Sequence, residues 1–234
     1  MQNQPTLFWD FDGTLAHRAG HQRGAMMYAL DQHYPGHGIT IDQLKPHLRN
    51  VLPWHMPDVP HLHLNTSALW WANIEAIFAG AFVKVGVPED IAKTLAKITH
   101  EHYIDADGFV LFPNTIETLS SLRVKGWQNI ILSNHVPELS DIVAKKGLSQ
   151  YFSHIISSAN VGVEKPNIKI FEHAIELAGT PSRAIMIGDN IIADIHGANN
   201  AGMQAILVHT EPDDSVEHFA RTIADVEAIL EQTS

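Results

Sequence analysis

The chain has 234 residues, 45% of them hydrophobic, with 15 basic and 26 acidic side chains and a formal net charge of −11. That length supports one sizeable core, or a core with a smaller satellite, and the acidic balance argues against gripping nucleic acid or an anionic membrane through bulk charge. Cysteine is absent, which excludes disulfides, iron–sulfur clusters and thiolate zinc sites and leaves oxygen and imidazole as metal ligands.

No basic stretch followed by an apolar one opens the chain, and no apolar run approaches the roughly 20 residues a bilayer span needs. A soluble, cytoplasmic protein is expected, with no membrane or nucleic-acid partner.

The first element is TLFW (6–9), a continuous apolar run that reads as a strand covered on both faces. It ends in DFDGTL (10–15), where two aspartates one residue apart close an apolar stretch. If residues 10–12 stay extended, alternate side chains point the same way and both carboxylates face one volume. Residues 16–105 then show helical patterns at 21–33, 66–85 and 88–104, joined by proline-rich links at 35–46 and 53–60. A single crossover needs no such length, so this stretch is expected to be a mostly helical inserted domain.

The rest of the chain alternates. PNTIETLSSLRVKG reads as a helix with Asn114 as N-cap, Glu117 three residues on and Gly126 as stop. The strand NIIL (129–132) follows, then a helix from Pro137 to Gly147. The strand HIIS (154–157) precedes a helix that starts after Pro166 and ends at Gly179. The strands AIMI (184–187) and AILV (205–208) complete the series. Such alternation implies right-handed crossovers and a doubly wound α/β fold with a parallel sheet.

Ligands bind such sheets at the carboxyl ends of the strands. Asp10 follows the first strand, Ser133–Asn134 the second, and Gly188–Asp189–Asn190 the strand at 184–187, while Lys165 comes from the loop after 154–157. Each placement alone also suits a turn or a cap. Together they would crowd Asp10, Asp12, Asp189 and Asp194 into one small volume. Two such charges about 4 Å apart repel by roughly 4 kcal/mol at an effective dielectric of 20. A hard divalent cation and Lys165 would relieve that, and oxygen ligands point to Mg²⁺.

DFDGTL (10–15), LSN (132–134), EKP (164–166) and GDNIIAD (188–194) resemble, in order and spacing, the four motifs of the haloacid dehalogenase-like (HAD) hydrolase superfamily. The long insert resembles the helical cap of the subfamily that includes phosphoglycolate phosphatase and beta-phosphoglucomutase. The resemblance implies a Rossmann-like core from residues 1–15 and 106–234 and a substrate-selecting cap from 16–105. It implies that Asp10 is a nucleophile forming an aspartyl-phosphate, and that Asp12 is an acid and then a base. Lys165 would balance negative charge. Mg²⁺ would be held by Asp10, the Asp12 carbonyl and Asp189, with Asp194 acting through water or a hydrogen bond. Ser133 and its neighbours would hold phosphate oxygens, with Gly13, Thr14, Asn134 and Asn190 around them. Gly13 would also let the chain leave the strand sharply, and Thr14 would tie that turn down. Dehalogenases of the superfamily lack an acid where Asp12 stands, so the resemblance implies hydrolysis of a small phosphorylated metabolite. A phosphomutase, with Arg49 as a cap cation, and a non-catalytic binding protein are the alternatives.

Within the cap, LPWHMPDVPHLHLN (52–65) is rich in His, Trp and Pro. Either Trp54, His55, His61 or His63 touches the leaving group, or the segment is a rigid surface link. A second metal site at His61 and His63 lacks an evident third ligand. Trp70 and Trp71 point about 100° apart on a helix and are expected in the cap core or at an interface. Arg18, His21 and Arg23 either meet a second anionic group or face solvent. Substrate identity and oligomeric state are not legible at this level.

Overall fold

The computed structural model of the chain describes residues 3–232. Strand β1 (Thr6–Trp9) is wholly buried. Its pleat sends Leu7 and Trp9 into one apolar cluster and Phe8 into another, one on each face of the sheet. The chain then leaves through a short strand, β2 (Ala16–Arg18), and enters a helical excursion: α1 (His21–His33), α2 (Ile41–Leu44), α3 (Ser67–Lys84) and α4 (Glu89–Tyr103). It returns through β3 (Phe109–Leu111), which pairs antiparallel with β2. The stem of the excursion is thus a two-stranded ribbon, which the residues 16–105 read as mostly helical did not reveal; three residues are too few to show a period.

Helices α1 and α3 both pack on α4. Arg18 locks the stem to this group. Its guanidinium donates to the carbonyls of Tyr103 (2.7 Å), Asp105 (2.9 Å) and His102 at the end of α4, satisfying carbonyls that a helix terminus leaves without partners. Arg18 is buried and therefore neither faces solvent nor meets a substrate anion. Trp70 and Trp71 are both buried. Trp71 donates its indole N–H to Glu138 at 3.0 Å, which ties α3 to the core.

Beyond β3 come α5 (Thr115–Val124), β4 (Gln128–Ser133), α6 (Leu139–Lys145), β5 (His154–Ser157), α7 (Ser158–Val161) and α8 (Ile168–Leu177). Then follow β6 (Ala184–Gly188), α9 (Gly197–Asn200), β7 (Gln204–Val208), β8 (Phe219–Ala220) and α10 (Val226–Gln232). Asn114 does not cap α5 with its side chain. It sits at φ 65°, ψ 8° and makes no cap hydrogen bond, because a side-chain cap requires an extended residue that can reach the first-turn amides.

Six strands form one parallel sheet in the order β5-β4-β1-β6-β7-β8. The chain winds outward from β1 through β4 to β5, then crosses over to β6, β7 and β8. The switch point lies at β1, flanked by β4 and β6, and that is where an open α/β sheet leaves a crevice beyond its strand ends.

Candidate active site

The backbone carries β1 pairing one residue further, the Asp10 N–H donating to the Ile187 carbonyl at 2.9 Å. Phe11 is buried on the opposite side, and Asp10 and Asp12 line one cavity of about 510 Å³, as an extended 10–12 demands. The chain then folds back, with Gly13 N–H donating to Ala16 O at 2.7 Å. Gly13 adopts φ +99°, and a Cβ there would lie 2.5 Å from Asp189 Oδ2. Glycine is required twice over, for the left-handed turn and for the close approach of a carboxylate from β6's end.

Thr14 does not face the cavity. It is buried, and its hydroxyl donates to Asp189 Oδ1 at 3.3 Å. It thus steadies an acidic side chain rather than a ligand.

Lys165 is the hub of the site and is 2% exposed. Its ammonium donates to Asp10 Oδ1 at 2.8 Å, Asp194 Oδ1 at 2.6 Å and the Leu132 carbonyl at 2.7 Å. Burial opposes its charge, but the neighbouring Asp10 and Asp194 carboxylates outweigh burial and hold its pKa above the ordinary lysine value. Asn134 fixes the Lys165 backbone with both ends of its amide, at 2.9 and 2.7 Å. Its side chain thus holds the loop that carries Lys165. Asn190 lines the cavity, and its Oδ1 accepts from the Ile192 and Ala193 amides at 3.0 and 2.9 Å. That cap starts a π-helical turn, Ile191–His196, which brings Asp194 back so that its Oδ2 accepts from the Asn190 amide at 3.0 Å. Ser133 closes β4, is buried and lines the cavity.

Carboxylate oxygens of Asp10, Asp189 and Asp194 lie within 4.8 Å of one another. Burial, then the charges of Asp10 and Asp194, push the Asp189 pKa up to about 7. Burial pushes Asp194 up to about 6 against the pull of Lys165. One ammonium does not neutralise three crowded carboxylates, and the donor set is oxygen only. Both facts fit a hard divalent cation. It is the one such cluster among the described residues, so His61 and His63 form no second metal site.

The cap residues separate. His21 donates from Nδ1 to Asp12 Oδ2 at 3.0 Å, and this hydrogen bond raises its pKa. His21 and Trp54 line the cavity with Tyr103. His61 is buried and pairs with Glu164 at 2.9 Å, while His63 is exposed; neither lines the cavity. Arg23, Lys45, Arg49 and His55 line a neighbouring cavity of about 680 Å³. Sequence reasoning missed His135, which is buried in the wall beside Ser133 and Asn134. Its place directly after the LSN motif was the available signal.

A family model described as haloacid dehalogenase-like hydrolase matches residues 5–202. The chain belongs to the haloacid dehalogenase-like hydrolase family. It is 27% identical over 208 residues to haloacid dehalogenase-like hydrolase domain-containing protein 3 of Xenopus laevis, covering 87% of this chain and 83% of that one. It is 39% identical over 121 residues to a glyceraldehyde 3-phosphate phosphatase of Methanothermobacter thermautotrophicus. That match covers 50% of this chain and about half, 54%, of the relative's length. The crystal structure of the HAD-hydrolase YfnB of Bacillus subtilis bound to magnesium superposes with TM-score 0.74 at 19% identity, over 98% of this chain and 100% of that one. At that identity the likeness concerns the fold. Among the described residues no helix is long and apolar enough to cross a membrane.

Proposed function

We propose that this HAD-family hydrolase is a Mg²⁺-dependent phosphatase of a small phosphorylated metabolite, with residues 1–15 and 106–234 as catalytic core and 16–105 as cap. One observation carries the reading. Asp10, Asp12, Lys165 and Asp189, drawn from two strand ends and a loop, line one cavity.

Asp10 attacks phosphorus through a carboxylate oxygen and forms an aspartyl-phosphate, which divides one hard displacement into two easier ones. Its other charge partner, Lys165, keeps the nucleophile aimed and offsets negative charge on the phosphoryl group. Asp12 gives a proton to the departing alcohol and later takes one from the water that attacks the aspartyl-phosphate. Its Oδ2 is held by His21, while Oδ1 is buried and has no partner, left for the reacting oxygen. Asp10, Asp189 and the Asp12 carbonyl would hold Mg²⁺, and a cation there supplies charge neutralisation for the phosphoryl group. Asp194, bound to Lys165 and the Asn190 amide, orients Lys165. Ser133 and nearby backbone amides receive phosphate oxygens. Relatives named as phosphatases, including a phosphoserine phosphatase of Thermus thermophilus at 31% identity over 136 residues, support the same reading.

The test is Asp10→Asn assayed with p-nitrophenyl phosphate and Mg²⁺. An amide is a poor nucleophile, so turnover falls on the order of a thousandfold or more with the far-UV spectrum unchanged. Residual activity within tenfold of the parent refutes the assignment.

A further inference from the structure

The chemistry above leaves one buried polar group in the cavity unused. His135 is 3% exposed and lines the cavity beside Ser133. Neither ring nitrogen makes a hydrogen bond of normal geometry, the Val136 backbone being the one polar group that approaches the ring. Its cage is aromatic, with ring centroids of Phe11, Phe109 and Tyr103 at 5.6, 5.8 and 6.3 Å. Native buried polar groups are nearly always paired. Each one left unpaired carries a desolvation cost that a phenyl ring in the same cage would avoid. Packing therefore does not account for an imidazole at this position.

The surroundings indicate what completes it. Asp12 Oδ1, the atom that would protonate the leaving alcohol, is also buried, unpartnered and in the same cavity. Asp12 is the charge His135 feels most strongly. His135 thus shares its cavity with the group that would protonate the leaving alcohol. Burial keeps the ring neutral despite that charge, so it offers one N–H donor and one lone pair. The one lysine lining the cavity is committed to Asp10 and Asp194, which leaves no free ammonium for a second anion beside His135. A hydroxyl both donates and accepts, and so matches either nitrogen.

We propose that His135 is the leaving-group subsite and that its ring nitrogens hydrogen-bond hydroxyls of the departing alcohol, making the substrate a phosphate ester of a polyol or sugar. This rests on the phosphatase reading and narrows its substrate class.

The experiment compares kcat/KM for glycerol 1-phosphate and ribose 5-phosphate with that for propyl phosphate, which lacks the hydroxyls, on the full chain with Mg²⁺. The parent prefers at least one hydroxylated ester by about tenfold or more, the scale of one or two neutral hydrogen bonds. His135→Phe collapses that ratio towards one without lowering the thermal midpoint of the substrate-free protein, and His135→Asn, which keeps a donor and an acceptor, restores part of it. A parent with no preference overturns the proposal, as does a ratio unchanged in His135→Phe. A fall in the thermal midpoint that tracks the loss of activity overturns it too, since that marks a packing role. Hydrolysis of p-nitrophenyl phosphate by the parent separates the two levels. If it is present and the ratio does not move, the His135 assignment fails alone. If the parent hydrolyses none of these esters, the phosphatase reading fails and the subsite falls with it.

Discussion

Replacing Lys165 by methionine keeps the length of the side chain and removes its charge. The ammonium lies 2.8 Å from Asp10 and 2.6 Å from Asp194, and the Lys165 and Asp194 side chains are each 1% exposed. At those distances and an effective dielectric of 20, each contact amounts to about 6 kcal/mol of Coulomb attraction. Most of this offsets the desolvation of three buried ions, so the net worth of the cluster is far smaller than the sum. Breaking it is a different matter. Two buried carboxylates lose their counter-ion while their burial persists, which costs about 3–5 kcal/mol. The deficit should depend on pH with a definite sign. Without Lys165 the folded-state pKa of Asp194, already raised by burial to about 6, climbs further above that of the unfolded chain. The variant then binds protons more tightly when folded and recovers stability as pH falls. Urea unfolding of parent and Lys165→Met, both metal-free, at pH 7.5 and pH 5 measures this. A loss below about 1 kcal/mol at pH 7.5, or an equal loss at both pH values, would refute the claim that Lys165 is the charge that holds the site together.

The raised pKa of Asp189, about 7 against an ordinary 3.8, gives the metal-free parent stability that is full below about pH 4 and lost as pH rises through 7, about 4 kcal/mol in all. A cation competes with that proton, so Mg²⁺ should raise the thermal midpoint more at pH 7.5 than at pH 5.5; equal shifts would contradict the crowding argument. Gly13→Ala forces a methyl to within 2.5 Å of Asp189 Oδ2 at φ +99°. It should cost about 1–3 kcal/mol and weaken Mg²⁺ binding in calorimetry, whereas unchanged binding would show that Asp189 is not held where the turn requires. The buried pair His61–Glu164 at 2.9 Å joins the 52–65 segment to the loop before Lys165. His61→Leu should destabilise by about 3 kcal/mol, and the double change with Glu164→Leu by less than the sum of the singles; additivity in urea unfolding would rule out the coupling.

The chemistry-bearing residues were legible because local physics marks them. An apolar run that stops at Asp10, and others that stop at Ser133 and Gly188, announce strand ends in a parallel sheet, and polar groups at strand ends converge. Helix α1 falls on the 21–33 pattern, and the five core strands lie on their apolar runs to within a residue at either end. Period and punctuation are properties of neighbours in sequence. Elements of two or three residues, such as β2, β3 and β8, carry no period and stayed hidden.

Partner choice was beyond reach of the chain alone. Asn134 and Asn190 stand in the right motifs, but their side-chain oxygens are engaged by the Lys165 amide and by a helix start. Arg18, three residues past the first motif, turns to carbonyls more than eighty residues away instead of to a ligand. His135 gave no pattern of its own, and its orphaned nitrogens exist only because Phe11, Phe109 and Tyr103 close around it. Sequence spacing determined which groups arrive at the sheet's edge. Long-range packing decided which of them are consumed by scaffolding and which remain open, since a hydrogen bond between residues 155 apart, such as Lys165 to Asp10, depends on where the whole fold sets its two ends.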